Sequence, residues 1–282
     1  MYKTLCAGAI GVTANSLEES VSAAKIGNFT GVELDINEIA DRLENESLDD
    51  LLGILGDIRP AAFNVPVDWR EDQATFDESI KGLPRLASAA AAMGCTRTMT
   101  YILSFSDTLD YTSNRLLHVD RFSAMAKILA DYGCSIGLEF IGPKTMRDGK
   151  AHEFIHTMHD MLDMCDDIGP NAGLLLDCWH WYTSGSTIDE LKKLSPEQVV
   201  YVHVNDAPAG IEIDEQIDNI RCLPAETGVI DIAGFLKTLQ DIGYNGPVTP
   251  EPFKNEIYEL PSDDERLKIV GASMDTIFAM IN

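Results

Sequence analysis

Basic residues are scarce in this chain: 21 lysines and arginines stand against 46 aspartates and glutamates, a formal charge of −25. A surface so acidic repels a phosphate backbone, which removes nucleic acid as an expected partner. The six cysteines, at positions 6, 95, 134, 165, 178 and 222, contain no C-x-x-C pair. Neither a zinc knuckle nor a thioredoxin-like motif is therefore indicated, and the thiols read as free in a reducing compartment. No apolar run approaches the ~18 residues of a membrane span. Met1 to Gly8 lacks the charged and apolar regions of a signal peptide. The expectation is a cytoplasmic protein with no membrane partner. Linkers, low-complexity tracts and blocks of like charge are also missing, so residues 1–282 are expected to form one domain.

What the chain does have is alternation. Short apolar runs recur at roughly 30 to 40 residue intervals, each followed by a stretch of helical periodicity, the sign of parallel strands joined by crossover helices. The expected strands are Thr4–Ile10, Gly31–Asp35, Arg59–Val65, Arg97–Ile102, Ser135–Ile141, Gly173–Asp177, Val199–Asn205 and Pro247–Glu251. A helix is expected over Leu116–Tyr132, stopped by Gly133, and glycines 27, 94, 169 and 243 punctuate other helix ends. Eight such units predict the α/β class and a (β/α)8 TIM barrel. A doubly wound sheet would share the alternation, but its nucleotide-binding form wants G-x-G-x-x-G after the first strand. Gly8-Ala9-Ile10-Gly11 does not supply it.

In such a barrel the chemistry sits at the C-terminal ends of the strands. Those ends carry Glu139 on strand five, Asp177 on strand six, His203 on strand seven and Glu251 on strand eight. Three carboxylates and an imidazole at one mouth would be unstable as unpaired charges, and a shared cation resolves this. Oxygen and nitrogen donors without thiolate suit one divalent ion: manganese, cobalt, magnesium or zinc. Asn64, Glu33 and Lys144 also end strands or follow them closely enough to reach the mouth. His152, His156 and His159, spaced by four and three, are expected on one solvated face of an outer helix.

These four strand-end segments resemble the xylose isomerase-like barrel family, whose members include sugar 3-epimerases, hydroxypyruvate isomerase, inosose dehydratase and endonuclease IV. The likeness runs over nearly the whole chain. It implies that Glu139, Asp177, His203 and Glu251 hold the metal and that Glu139 and Glu251 are the acid–base pair. It further implies that His180, in the step Asp177-x-x-His180, and the segment Arg221 to Asp231, with Arg221 and Glu226, meet the substrate.

The activity so implied is isomerisation or epimerisation of a small sugar or keto-polyol through a metal-stabilised enediolate. Loss of a β-hydroxyl would instead make a dehydratase of an inosose or dehydroshikimate type of substrate. Two departures separate the chain from familiar relatives: Thr145 stands where epimerases carry a second acid, and Ala225 replaces a glycine of a Pro-Gly-Glu-Gly turn. A nuclease like endonuclease IV would need more than six histidines and a basic groove. A non-catalytic sugar-binding barrel would not need all four strand-end groups. The apolar segment Phe253–Leu260, with Ile257 and Tyr258, is a candidate surface for a homo-oligomer.

Overall fold

The computed structural model describes residues 1–281. Its strands are β1 (Tyr2–Leu5), β2 (Gly31–Val32), β3 (Arg59–Pro60), β4 (Phe63–Asn64), β5 (Arg97–Ile102), β6 (Phe105–Ser106), β7 (Ser135–Phe140), β8 (His152–Glu153), β9 (Ala172–Asp177), β10 (Val199–Val204) and β11 (Pro247–Pro250). Nine of them form one sheet in the order β3-β2-β1-β11-β10-β9-β7-β5-β4, and every pairing in it is parallel.

The two edges of that sheet, β3 and β4, are separated only by Ala61 and Ala62, both wholly buried. The Ala61 N–H donates to the Val32 carbonyl at 2.8 Å, and the Leu34 N–H donates to the Ala62 carbonyl at 2.9 Å. Both edges are thus one interrupted stave, and the sheet closes into an eight-stave TIM barrel. Pro60 explains the interruption, since it has no N–H to give to a ladder.

The central staves are near-continuous apolar runs, as expected where helices cover the outside and side chains fill the inside. Two cores result. A large one lies between strands and helices, and a small one inside the barrel joins Ala61, Ala62, Met99, Leu175 and Tyr201. The Tyr201 hydroxyl shares a hydrogen bond with Thr249 at 2.6 Å and donates to Glu33 at 2.8 Å, so the barrel filling ends in a polar layer below the mouth.

Helices start where a Ser, Thr or Asp side chain accepts from an early backbone N–H, as at Ser16, Asp35, Asp72, Asp110, Thr157 and Ser262. The Asp110 cap starts the helix Tyr111–Ala130 five residues before the expected Leu116. Its first turn, Tyr-Thr-Ser, is polar and has weak helix propensity, which hid the start. Among the described residues no helix is long and apolar enough to cross a membrane.

Several expectations need correction. The first strand is Tyr2–Leu5, and Gly8–Ile10 is a short 3-10 turn. The second ends at Val32 because Asp35 already caps a helix. His152, His156 and His159 do not share a helix: His152 pairs with Ser106 in a small antiparallel β6–β8 ribbon, His156 lies in a loop, and only His159 is helical. The segment Phe253–Leu260 is not an open apolar face, since Ile257 is buried and the Tyr258 hydroxyl donates to the Ala9 carbonyl at 3.1 Å.

First and last helices, Leu17–Ile26 and Asp263–Ala279, pack where Gly271 faces Gly27. A Cβ on Gly271 would stand 2.0 Å from the Gly27 carbonyl oxygen. Since that neighbour is backbone, Gly271→Ala is expected to lower stability by about 1–3 kcal/mol. A thermal midpoint unchanged from wild type would show that the helices separate freely.

Candidate metal centre and substrate pocket

Register brings the strand-end groups together. His203 of β10 stands level with Asp177 of β9 and Thr249 of β11. The Glu251 N–H continues the ladder by donating to the Val204 carbonyl at 3.0 Å, while Glu139 comes from β7, the next stave beyond β9. One donor atom from each of Glu139, Asp177, His203 and Glu251 lies within 4.8 Å of all the others.

The protein alone does not satisfy these atoms. His203 Nδ1 is 3.4 Å from Glu139 Oε1 and 3.3 Å from Glu251 Oε2. Yet His203 Nδ1 and Glu139 Oε1 are buried with no hydrogen-bond partner. Orphaned polar atoms of opposite character aimed at one point are what a shared cation would complete.

Ionisation carries the same strain. Burial, reinforced by the charge on Glu251, pushes the Glu139 carboxyl up to about 8 although His203 opposes this. Burial acts on Glu251 in the same direction, but His203 and Arg221 outweigh it and hold that group at about 2. Burial disfavours a charged His203, yet Glu251 and Glu139 together raise its pKa well above the ordinary value. A buried proton thus does what a divalent ion would do better.

Around the four groups lies a ring of fixed partners. Asp177, the cap of the helix Cys178–Thr183, accepts from the Trp179 N–H at 2.8 Å and from Asn205 Nδ2 at 3.0 Å through Oδ1. Its Oδ2 accepts from Arg221 Nη1 at 2.7 Å. Arg221, expected to grip substrate, lines the cavity and bridges Asp177, Glu251 at 3.1 Å and Asp218 at 2.8 Å. It lies between the rings of Trp179 and Phe253.

His180 is buried beside it. His180 Nδ1 accepts from the Gly142 N–H at 3.2 Å, and its Nε2 lies 3.3 Å from Arg221 Nη2 and 3.9 Å from Asp177 Oδ2. Burial, with help from Arg221, lowers its pKa and keeps the ring neutral. Gly142 is required there, since a Cβ would meet the His180 carbonyl oxygen at 2.4 Å.

The remaining expected residues divide. Asn64 and Glu33 line the pocket. Glu33, whose pKa burial raises, accepts from Tyr201. Lys144 does not line it; it pairs with Asp214 at 3.2 Å on the exposed rim. Glu226 does not line it either, because its carboxylate closes the Leu223 turn at 2.8 Å and pairs with Lys254 at 2.7 Å. Ala225 in that turn has φ 60, the left-handed region that a glycine would adopt without strain.

Sequence reasoning missed Asp206, which accepts from the N–H groups of Ala207, Thr227, Gly228 and Ile230 and so ties the end of β10 to the Arg221 loop. Its one signal was its place three residues after His203. Trp69, Arg70, Tyr101 and Phe253 were also missed, although all four line the cavity.

That cavity has two lobes sharing Tyr101, Glu139, Glu251 and Phe253. One, of about 460 Å³, adds Glu33, Asn64 and Arg70; the other, of about 500 Å³, adds His180, Asp218 and Arg221. Each is of a size for a small metabolite.

Residues 21–277 match the sequence profile described as xylose isomerase-like TIM barrel. The chain belongs to that family. It is 25% identical over 236 residues to an inosose isomerase of Halalkalibacterium halodurans, covering 81% of this chain and 79% of that protein. Among solved structures, a xylose isomerase domain protein from Alicyclobacillus acidocaldarius aligns over 100% of this chain and 99% of its own, with a TM-score of 0.86 and 24% identity. The IolI protein, solved with a zinc atom bound, covers 100% and 99% of the two chains at a TM-score of 0.79 and 22% identity. Glu139, Asp177, His203 and Glu251 together present the donor set of a site for one divalent ion.

Metal analysis of the purified protein after incubation with each candidate ion should find one equivalent per chain. His203→Ala and Glu251→Gln are expected to lose it, and Asn205→Ala to bind it about tenfold to hundredfold more weakly. Unchanged metal content in the first two variants would remove the centre. Because the ion must displace protons from Glu139, at about 8, and from His203, also raised, affinity is expected to increase as pH rises through about 8. Calorimetric titration across that range checks the sign; a flat or falling profile contradicts it.

Proposed function

We propose that this protein is a divalent-metal-dependent isomerase or epimerase of a small sugar or keto-polyol. The observation that carries the reading is the meeting of Glu139 and Glu251 beside His203 in a cavity open along two lobes. In the barrel β9 and β10 stand between β7 and β11, so the two carboxylates approach the centre from different sides. A divalent ion held by Glu139, Asp177, His203 and Glu251 would supply Lewis-acid polarisation of a substrate carbonyl.

The chain's own groups do the rest. One glutamate removes a proton from the carbon beside the carbonyl, and the other returns one to the opposite face or the neighbouring carbon. The opposed pKa directions of Glu139 and Glu251 favour such a division of labour. His180, kept neutral by burial and held by the Gly142 N–H, orients rather than ionises. Arg221 fixes Asp177 and Glu251 against mutual repulsion. The family membership and the inosose isomerase likeness support the substrate class.

The test is incubation of the metal-loaded protein with inosose, dehydroshikimate and a panel of free and phosphorylated ketoses in deuterated water. Deuterium should enter at the carbon beside the carbonyl with no loss of water, and Glu139→Gln should slow this by about a hundredfold or more. An ultraviolet-absorbing conjugated ketone instead would replace isomerisation by dehydration. Neither outcome with any substrate would reject the proposal.

A further inference from the structure

In a chain with 46 acidic residues, most arginines find carboxylates. Arg42 pairs with Glu18, Glu38 and Glu46, Arg85 with Asp41 and Glu44, and Arg221 with Asp177, Asp218 and Glu251. Arg59, Arg70, Arg97 and Arg121 make no ion pair with a carboxylate among the described residues, and of these four only Arg70 lines the lobe that holds Glu33, Glu139 and Glu251.

This unmatched cation is also held still. Its guanidinium carbon lies 4.1 Å from the centre of the Trp69 ring and 4.2 Å from that of Tyr101, and Nη2 donates to the Tyr101 carbonyl at 2.6 Å. Tyr101 stands in register with Glu139 on the neighbouring strand, and neighbouring strands are about 4.8 Å apart. Arg70 is therefore tethered one strand away from a proposed metal ligand.

The turn that carries it is braced from below. Arg121, almost wholly buried, donates through Nη1 to the carbonyls of Trp69 and Glu71. His118 packs edge-on against Trp69 with ring centres 5.4 Å apart. Such bracing fixes the guanidinium before any ligand arrives, so little side-chain freedom is lost on binding. A guanidinium offers five N–H donors in a planar fork, and among the described residues Arg70 makes one hydrogen bond. The free donors match the oxygens of a carboxylate or phosphate, which the three glutamates of the lobe would otherwise repel.

We propose that Arg70 is a specificity-determining residue that binds an oxyanion on the substrate, so that this barrel acts on a keto compound bearing a carboxylate or a phosphate ester rather than on a neutral sugar. The inference rests on the proposed function for the site it serves and narrows its substrate class.

The experiment is calorimetric titration of the metal-loaded wild type, Arg70→Met and Arg70→Lys with three probes: dehydroshikimate as the carboxylate, ribulose phosphate as the phosphate ester and inosose as the neutral compound. Wild type is expected to bind at least one anionic probe about tenfold or more tightly than inosose. Arg70→Met should weaken that probe by about tenfold to hundredfold while changing inosose by less than about twofold, and Arg70→Lys should keep part of the preference. The responding probe distinguishes carboxylate from phosphate.

Equal affinity for neutral and anionic probes, no binding of either anion, or an Arg70→Met variant that weakens all probes alike would overturn the inference. Metal content and thermal midpoint are measured on the same samples. A wild type without metal fails the proposed function, whereas a metal-replete protein without anion preference fails this inference alone.

Discussion

Mutual repulsion among Glu139, Asp177 and Glu251 is the force that the mouth of this barrel is organised to contain. Each is at least partly removed from water, and like charges at such distances cannot all persist unpaired. The surroundings answer it in layers. His203 and a place for a cation lie at the centre; Arg221 ties Asp177, Glu251 and Asp218 together; Asn205 and the Trp179 N–H hold the other oxygen of Asp177. Asp206 then pins the loop that delivers Arg221, through four backbone N–H groups. Removing the outermost of these partners would be felt as a change in charge balance at the centre.

The same arrangement explains how much was legible beforehand. Strands β7, β9, β10 and β11 could be read to within a residue at either end because they are mostly apolar runs with a charged or polar group at or beside the C-terminal end. The four candidate ligands were legible for that reason: each sits at a place where burial makes charge conspicuous. The early staves were harder, being two to four residues long and, at Pro60, broken. The histidine trio misled because spacing alone fits a helix, whereas Thr157 caps the helix only after His156 has passed.

Residues defined by partners distant in sequence stayed invisible. Arg70 takes its meaning from Tyr101 and Arg121, and Asp206 from Thr227 to Ile230. Lys144 and Glu226 were read from proximity to the strand ends, but loops turn such residues toward neighbours such as Asp214 and Lys254. Arg221 was found, while its partners in the structure, three acidic side chains, were not foreseen.

The two lobes of the cavity are electrically unlike: in one the arginine is fully matched by acids, and in the other it is bare. Both open onto the same pair of glutamates. A ligand with one ionised end can then lie along them in one sense only, and reversing it would set charge against charge. On the proposed reading, the face of the molecule turned toward Glu139 and the face turned toward Glu251 would thereby be chosen by a charge that takes no part in the proton transfer, so that the handedness of the product would follow from how the substrate lies down.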